Sequence, residues 1–272
     1  MLKRTTLKLM SITWRILPNK VKDFIYDSAR SFYDMQMNKN KNIIGINIRP
    51  WLDSKDAPKI IDDKLMNGAI TEFQAEKLKQ FHEFGFFILR NAVPHRLIDE
   101  MLLDLKKFYK NNGEIFIDER GFHGRILELY NISKSAKNIF LNKETVNWVA
   151  LVIGREAIRC QTLNFERGTE QGQHNDIIHM TTSPLGYLVG VWIACEDVNP
   201  NAGPLLFYPK SHRWPYILAK DVQSGRRGTE EFYIEYEKVY QKILNKSGLK
   251  PAKLILNKGD VMIYHCNLSH GG

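Results

Sequence analysis

At 272 residues, with 43% hydrophobic and 25% charged residues, the chain can bury a sizeable core and has the composition of a globular protein, not of a disordered or fibrous one. Its 39 basic and 30 acidic residues leave a formal charge of +9, which concentrates anions around it; nucleic acid is disfavoured as a partner, because the basic residues are spread along the chain without a recognition motif. Cys160, Cys195 and Cys266 are odd in number and outside any CxxC pair, which argues against a disulfide framework or a zinc site and for reduced, mostly buried thiols in a cytoplasmic setting.

In chain order, residues 1–34 place Leu7, Met10, Trp14 and Leu17 at helical spacing among Lys3, Arg4, Lys8 and Arg15. The basic residues interrupt any apolar run, which excludes a signal peptide or a membrane span. A basic amphipathic helix is expected, either docked on the main domain or making peripheral contact with an anionic membrane surface. The Asn/Lys-rich connection that follows and the segment around Pro50-Trp51 read as an irregular arm, so residues 1–66 are set apart from a main domain over 67–272.

Thr71 and Gln74 form a capping-box pair ahead of Phe73, Leu78 and Phe81, and Gly85 stops the helix they predict. A strand is expected over 86–93, a helix from Pro94 to about Tyr109, and two more over 134–141 and 144–153. Beyond Gly154 the pattern changes to short β-branched and aromatic runs over 157–165, 173–180, 187–195, 204–208, 252–256 and 261–265. One helical insertion near 229–245 interrupts them. A helical wrap over 67–153 followed by a β core over 154–272 makes the fold class α+β, with the strands forming a double-stranded β-helix of the jelly-roll or cupin type.

The chemistry sits in the β half. In a strand, residues two apart point the same way, so His174 and Asp176 converge and His179, at odd spacing, turns away. With a later His they form a two-His, one-carboxylate face suited to iron(II) with positions left open. His265 and His270 both compete for that third place.

The run HNDIIHM, the strand residues Trp192-Ile193-Ala194, the turn Asn201-Ala202-Gly203, the element Pro209-Lys210-Ser211-His212 and the turn Gly259-Asp260 ahead of His270 occur here in one order. Together they resemble the phytanoyl-CoA dioxygenase family of iron(II)/2-oxoglutarate-dependent oxygenases, over roughly residues 70–272. The resemblance implies a non-haem iron dioxygenase with Fe(II) held by His174, Asp176 and His270, using 2-oxoglutarate as cosubstrate and O2. It assigns Gln161, Asn175 and Trp192 to the 2-oxoglutarate pocket, and Arg159 lies on the same strand face as Gln161. Asp176 favours hydroxylation, since related halogenases lack that carboxylate.

Two departures stand out. Lys210 occupies a place where the family carries Gly. The family's 2-oxoglutarate-binding Arg lies past the distal His, whereas this sequence ends at Gly272. The resemblance therefore implies a piece of a longer protein, or else weakened cosubstrate binding. The expected substrate is a small anionic molecule: a CoA thioester, a metabolite or an acidic lipid-linked sugar. The alternative is a non-catalytic cupin-like metal- or ligand-binding protein on the same fold.

Overall fold

The computed structural model describes residues 49–116, 126–165, 168, 171–180, 182, 184–218, 221–222 and 229–272. The basic amphipathic segment 1–34 and the His-Gly-Arg at 123–125 lie outside the described residues.

Residues 51–66 are not the irregular arm that their composition suggests. Trp51–Asp53 form a 3-10 turn and Ala57–Met66 form helix α1, with Pro58 in its first turn. Leu52, Ala57 and Ile61 are buried in the main core, and Trp51 donates its indole N–H to the Leu151 carbonyl at 3.1 Å. Burying each large aliphatic side chain contributes about 2 kcal/mol, which outweighs the weak local signal of a polar stretch.

Helix α2 spans Glu72–Phe84 and begins on the expected box. The Thr71 hydroxyl accepts from the Gln74 N–H at 3.2 Å, and the Gln74 side chain accepts from the Thr71 N–H at 2.9 Å. Gly85, at φ +85°, ends it. Strand β1 covers Phe86–Leu89, and helix α3 runs over His95–Phe116, a further two turns past the expected end. Strand β2 (Ile126–Leu127), helix α4 (Lys134–Phe140) and helix α5 (Lys143–Ile153) follow, the helices capped by Ser133 and Asn142.

The β half is more fragmented than the sequence pattern. Strand β3 is confined to Leu163–Asn164 and pairs with β2. Strands β4 (Val189–Ile193), β5 (Leu206–Phe207), β6 (Ala252–Lys253), β7 (Val261–His265) and β8 (His270–Gly271) complete the set, with helix α6 (Glu230–Ser247) inserted between β5 and β6. Three-stranded antiparallel sheets form in the orders β1-β7-β4 and β6-β5-β8. Cys160 is exposed, contrary to the expected burial, while Cys266 is buried.

Alternation on the first sheet divides the molecule. Phe87, Leu89, Val261 and Ile263 join the core formed with the helices. Phe86, Ile88, Met262, Tyr264 and Trp192 face the other way, towards Phe207, Ala252 and Leu254 of the second sheet region, where the Phe86 and Phe207 rings meet edge to face at 4.8 Å. The site lies on this inter-sheet side.

The Gly259-Asp260 turn holds the start of β7. Gly259 has φ +87°, and a Cβ there would meet the Val93 carbonyl at 2.8 Å. The buried Asp260 carboxylate accepts from Arg90 at 2.6 Å, the Asn91 N–H at 2.9 Å and the Asn257 N–H at 3.0 Å. Desolvation opposes its charge, but these donors outweigh it and hold the carboxyl below its ordinary 3.8. Asp260→Ala strands three donors and is expected to lower unfolding free energy by about 2–4 kcal/mol in urea at pH 7. Because the folded-state value is depressed, that stabilisation is full above pH 3.8 and disappears as pH falls through the lowered value, so the gap between the two proteins narrows in acid.

Candidate metal centre

One antiparallel bridge makes the centre. The His174 N–H donates to the His270 carbonyl and the His270 N–H to the His174 carbonyl, both at 2.9 Å. Directly opposed residues of an antiparallel pair project to the same side, and the two imidazole rings stand 4.6 Å apart. Asp176 opens a 3-10 turn, Asp176–Ile178, after its N–H bonds the Cys266 carbonyl at 3.0 Å. One ligand atom from each of His174, Asp176 and His270 lies within 4.8 Å of the others, and His270 Nε2 is 3.5 Å from Asp176 Oδ1.

The hydrogen bonds on the far side of each ring decide what faces the centre. His174 Nδ1 is 2.7 Å from the Gly172 carbonyl, and His270 Nδ1 is 2.9 Å from the Leu268 carbonyl. A carbonyl can only accept, so each Nδ1 carries a proton, and Nε2 is the atom each ring offers to the centre. Burial, with neighbouring His270 second, pulls His174 down to about 4, so it stays neutral at physiological pH. One carboxyl group and two imidazoles form a donor set matched to a divalent transition metal, with each His oriented from behind by a carbonyl.

Behind the ligands lies a buried amide hub. Asn267 donates to the His212 and Trp214 carbonyls at 3.0 and 2.8 Å and accepts from the Asn175 amide at 2.8 Å. Ser211 Oγ accepts the Ser269 N–H at 2.7 Å. These bonds tie the loops of His174, His212 and His270 together. Burial and His265 push His212 down to about 3, and its ring packs where a Cβ on Gly85 would lie, 2.6 Å from Nδ1. His212 is thus a neutral packing element. Lys210 has φ +74°, a left-handed conformation that explains the Gly of the family pattern; its ammonium reaches Glu83 at 3.3 Å.

His265 does not compete for the centre. It lies on the helical face of β7, where Nδ1 accepts the Asn267 N–H at 2.9 Å and Nε2 points at Asp53, 3.3 Å away. His179 departs from expectation in the other direction. The chain leaves the extended conformation at Asp176, and in a 3-10 turn residues three apart eclipse, so His179 returns to the side of the centre with its ring 5.3 Å from His174.

Of the residues assigned to the 2-oxoglutarate pocket, Trp192 stands on the inter-sheet face of β4, opposite Met262. Asn175 turns away into the Asn267 hub and is not brought to the three-residue cluster. Gln161 and Arg159 are exposed, before β3 begins, and the Arg159 guanidinium lies 6.0 Å from the Phe140 ring centroid. The sequence reading missed Tyr264, whose ring meets His270 edge-on at 5.2 Å. The signal was the parity of β7: if His265 faces the helices, Tyr264 faces the site.

Asn267→Ala removes the hub and leaves the Asn175 amide and two buried carbonyls unpaired. A loss of about 2–4 kcal/mol is expected in urea unfolding of the metal-free chain.

Comparison with known proteins places these features. Residues 81–272 match the family model described as Phytanoyl-CoA dioxygenase (PhyH). The chain is 21% identical over 218 residues to "Phytanoyl-CoA dioxygenase, peroxisomal" of Rattus norvegicus, a match covering 72% of this chain and 62% of that protein, less than two thirds of the relative's length. It is 44% identical over 45 residues to "Phytanoyl-CoA dioxygenase domain-containing protein 1" of Danio rerio, 16% of each chain. Among solved structures, the non-heme alpha ketoglutarate dependent carbocyclase SnoK from nogalamycin biosynthesis superposes with a TM-score of 0.56 at 13% identity, covering 75% of this chain and 77% of that one. EctD from S. alaskensis with 2-oxoglutarate and 5-hydroxyectoine gives 0.55 at 18% identity, covering 82% and 76%. These structural likenesses speak to the fold. With well over half of the sequence taken in by one family model, this chain belongs to the phytanoyl-CoA dioxygenase family.

Proposed function

We propose that this chain is an iron(II)- and 2-oxoglutarate-dependent dioxygenase that hydroxylates an unactivated carbon of a small anionic molecule, on a double-stranded β-helix core contributed by the two three-stranded sheets. The observation that carries this reading is the convergence of two imidazoles and one carboxyl group, with both rings oriented by backbone carbonyls. Iron(II) would be held by His174, Asp176 and His270, and with 2-oxoglutarate and dioxygen it supplies the oxidising power that breaks a C–H bond.

The protein's share is placement and protection. The mutual bridge of His174 and His270 limits relative movement of the two imidazoles, and the Asn267 hub holds the loops that carry them. Trp192 and Tyr264 line the inter-sheet face beside the centre and keep it apolar, which excludes water from the reacting side. Asp176 supports hydroxylation over halogenation. The charge of +9 supports an anionic substrate, a CoA thioester among the candidates. Among the described residues no helix is long and apolar enough to cross a membrane.

Anaerobic addition of iron(II) and 2-oxoglutarate is expected to produce a weak visible charge-transfer band that His174→Ala abolishes. On admission of oxygen, 2-oxoglutarate should be converted to succinate, at a rate at least about 100-fold lower in His174→Ala and Asp176→Ala. Metal uptake without band or succinate would overturn the reading in favour of a cupin-like binding protein.

A further inference from the structure

The bridge between His174 and His270 has a reverse side. Both imidazoles project to the metal centre, and alternation along extended chain turns the neighbouring residues, Asn175 and Ser269, the opposite way. Beside a hydrogen-bonded antiparallel pair, the next opposed residues come close, with Cα atoms about 4.5 Å apart. Helix α6 covers this side. Tyr236 and Tyr240, one turn apart on its buried face, have ring centroids 5.4 Å apart, and the Tyr236 hydroxyl accepts the Asn175 N–H at 3.3 Å. The Tyr240 ring also lies 6.2 Å from the ring of Trp214, whose carbonyl is part of the Asn267 hub.

The polar groups of this compartment do not satisfy one another. Asn267 Nδ2 donates to the His212 and Trp214 carbonyls, so its Oδ1 is the atom that meets Asn175 and must accept from the Asn175 Nδ2, at 2.8 Å. That fixes the Asn175 amide, whose Oδ1 is left as an acceptor with no partner among the described residues. The Ser269 Oγ and the Tyr240 hydroxyl are unpartnered in the same way. Asn175 is 2% exposed and Ser269 and Tyr240 are 0% exposed, so bulk solvent does not reach them. Buried polar groups of this kind are met by protein or by ordered water, because leaving them unpaired is costly.

We infer that this compartment binds one buried water, which donates to Asn175 Oδ1 and Ser269 Oγ and accepts from the Tyr240 hydroxyl. Three partners is the usual number for an internal water. An amide oxygen that only accepts and a phenol that donates need an occupant able to do both, which a metal ion is not. The water joins α6 to the residues next to both imidazoles, so the helical insertion supports the centre from behind. None of its partners is a proposed metal ligand, and the inference stands apart from the metal reading.

A crystal structure of the full chain, at a resolution that shows ordered waters, tests it directly. One water within hydrogen-bond distance of Asn175 Oδ1, Ser269 Oγ and the Tyr240 hydroxyl is expected; direct contact between the two hydroxyls with no water would overturn the inference. Urea unfolding of the metal-free chain tests it independently. Tyr240→Phe keeps the ring and removes the donor, and is expected to lower the midpoint by roughly 0.5 M. A hydroxyl without a partner predicts the reverse, so a midpoint that stays or rises would also overturn it. Ser269→Ala keeps the backbone bonds to Ser211 and Tyr208 and removes the second partner. The double variant is expected to lose less than the sum of the two single losses, since both groups hold one molecule; additive losses would count against it. If Ser269→Ala does not fold, the crystal structure and Tyr240→Phe still decide.

Discussion

The centre depends on one reciprocal pair of backbone hydrogen bonds, His174 to His270 and back, each 2.9 Å. The bridge itself is a single pair: His270 is also held by the pairing of β8 with β5 and by reciprocal Gln171–Gly272 bonds beside it, while the loop that carries His174 needs further ties. The Asn267 amide supplies one by joining three loops at a single buried side chain, and the Ser211–Ser269 bond adds a second tie. A buried amide of this kind is stabilising only because almost all its hydrogen-bonding capacity is met; each missing partner turns it into a liability.

Much of what marks the family in the sequence serves this scaffold, not the reaction. Gly259-Asp260 starts β7 by combining a left-handed turn with a carboxylate that collects three donors. The Pro-Lys-Ser-His element places a neutral His212 against Gly85 and offers Ser211 to Ser269. Spacing between such motifs is restrictive because each one positions a different side of the same small centre.

Burial keeps His174 neutral beside His270 and Asp176, an arrangement that a cation would complete. The Tyr264 ring, for which Gly190 leaves the space, packs edge-on against His270 and ties β4 and β7 to the centre. The donor set and its support are therefore one construction spread over β4, β7 and the two loops of the bridge.

The candidate ligands, the capping box at Thr71, the stop at Gly85 and the strand Val261–His265 were legible in the sequence, because each rests on residue type at short range. The choice between His265 and His270, which spacing left open, followed from the family resemblance. The structure accounts for it physically through strand parity, which sends His265 to Asp53 and Tyr264 to the opposite, inter-sheet face. Other features were decided by tertiary structure alone. Residues 51–66 became ordered because Leu52 and Ile61 found a core that their own segment does not advertise. His179 returned to the centre because the chain exchanged a strand for a 3-10 turn at Asp176, a change of period invisible in a run as β-rich as Asp176–Met180. Gln161 and Arg159 are exposed and not in a strand, because β3 starts only at Leu163. Local chemistry determines which residues can act, whereas long-range pairing determines which way they face, and a one-residue change of register or a single turn reverses that direction.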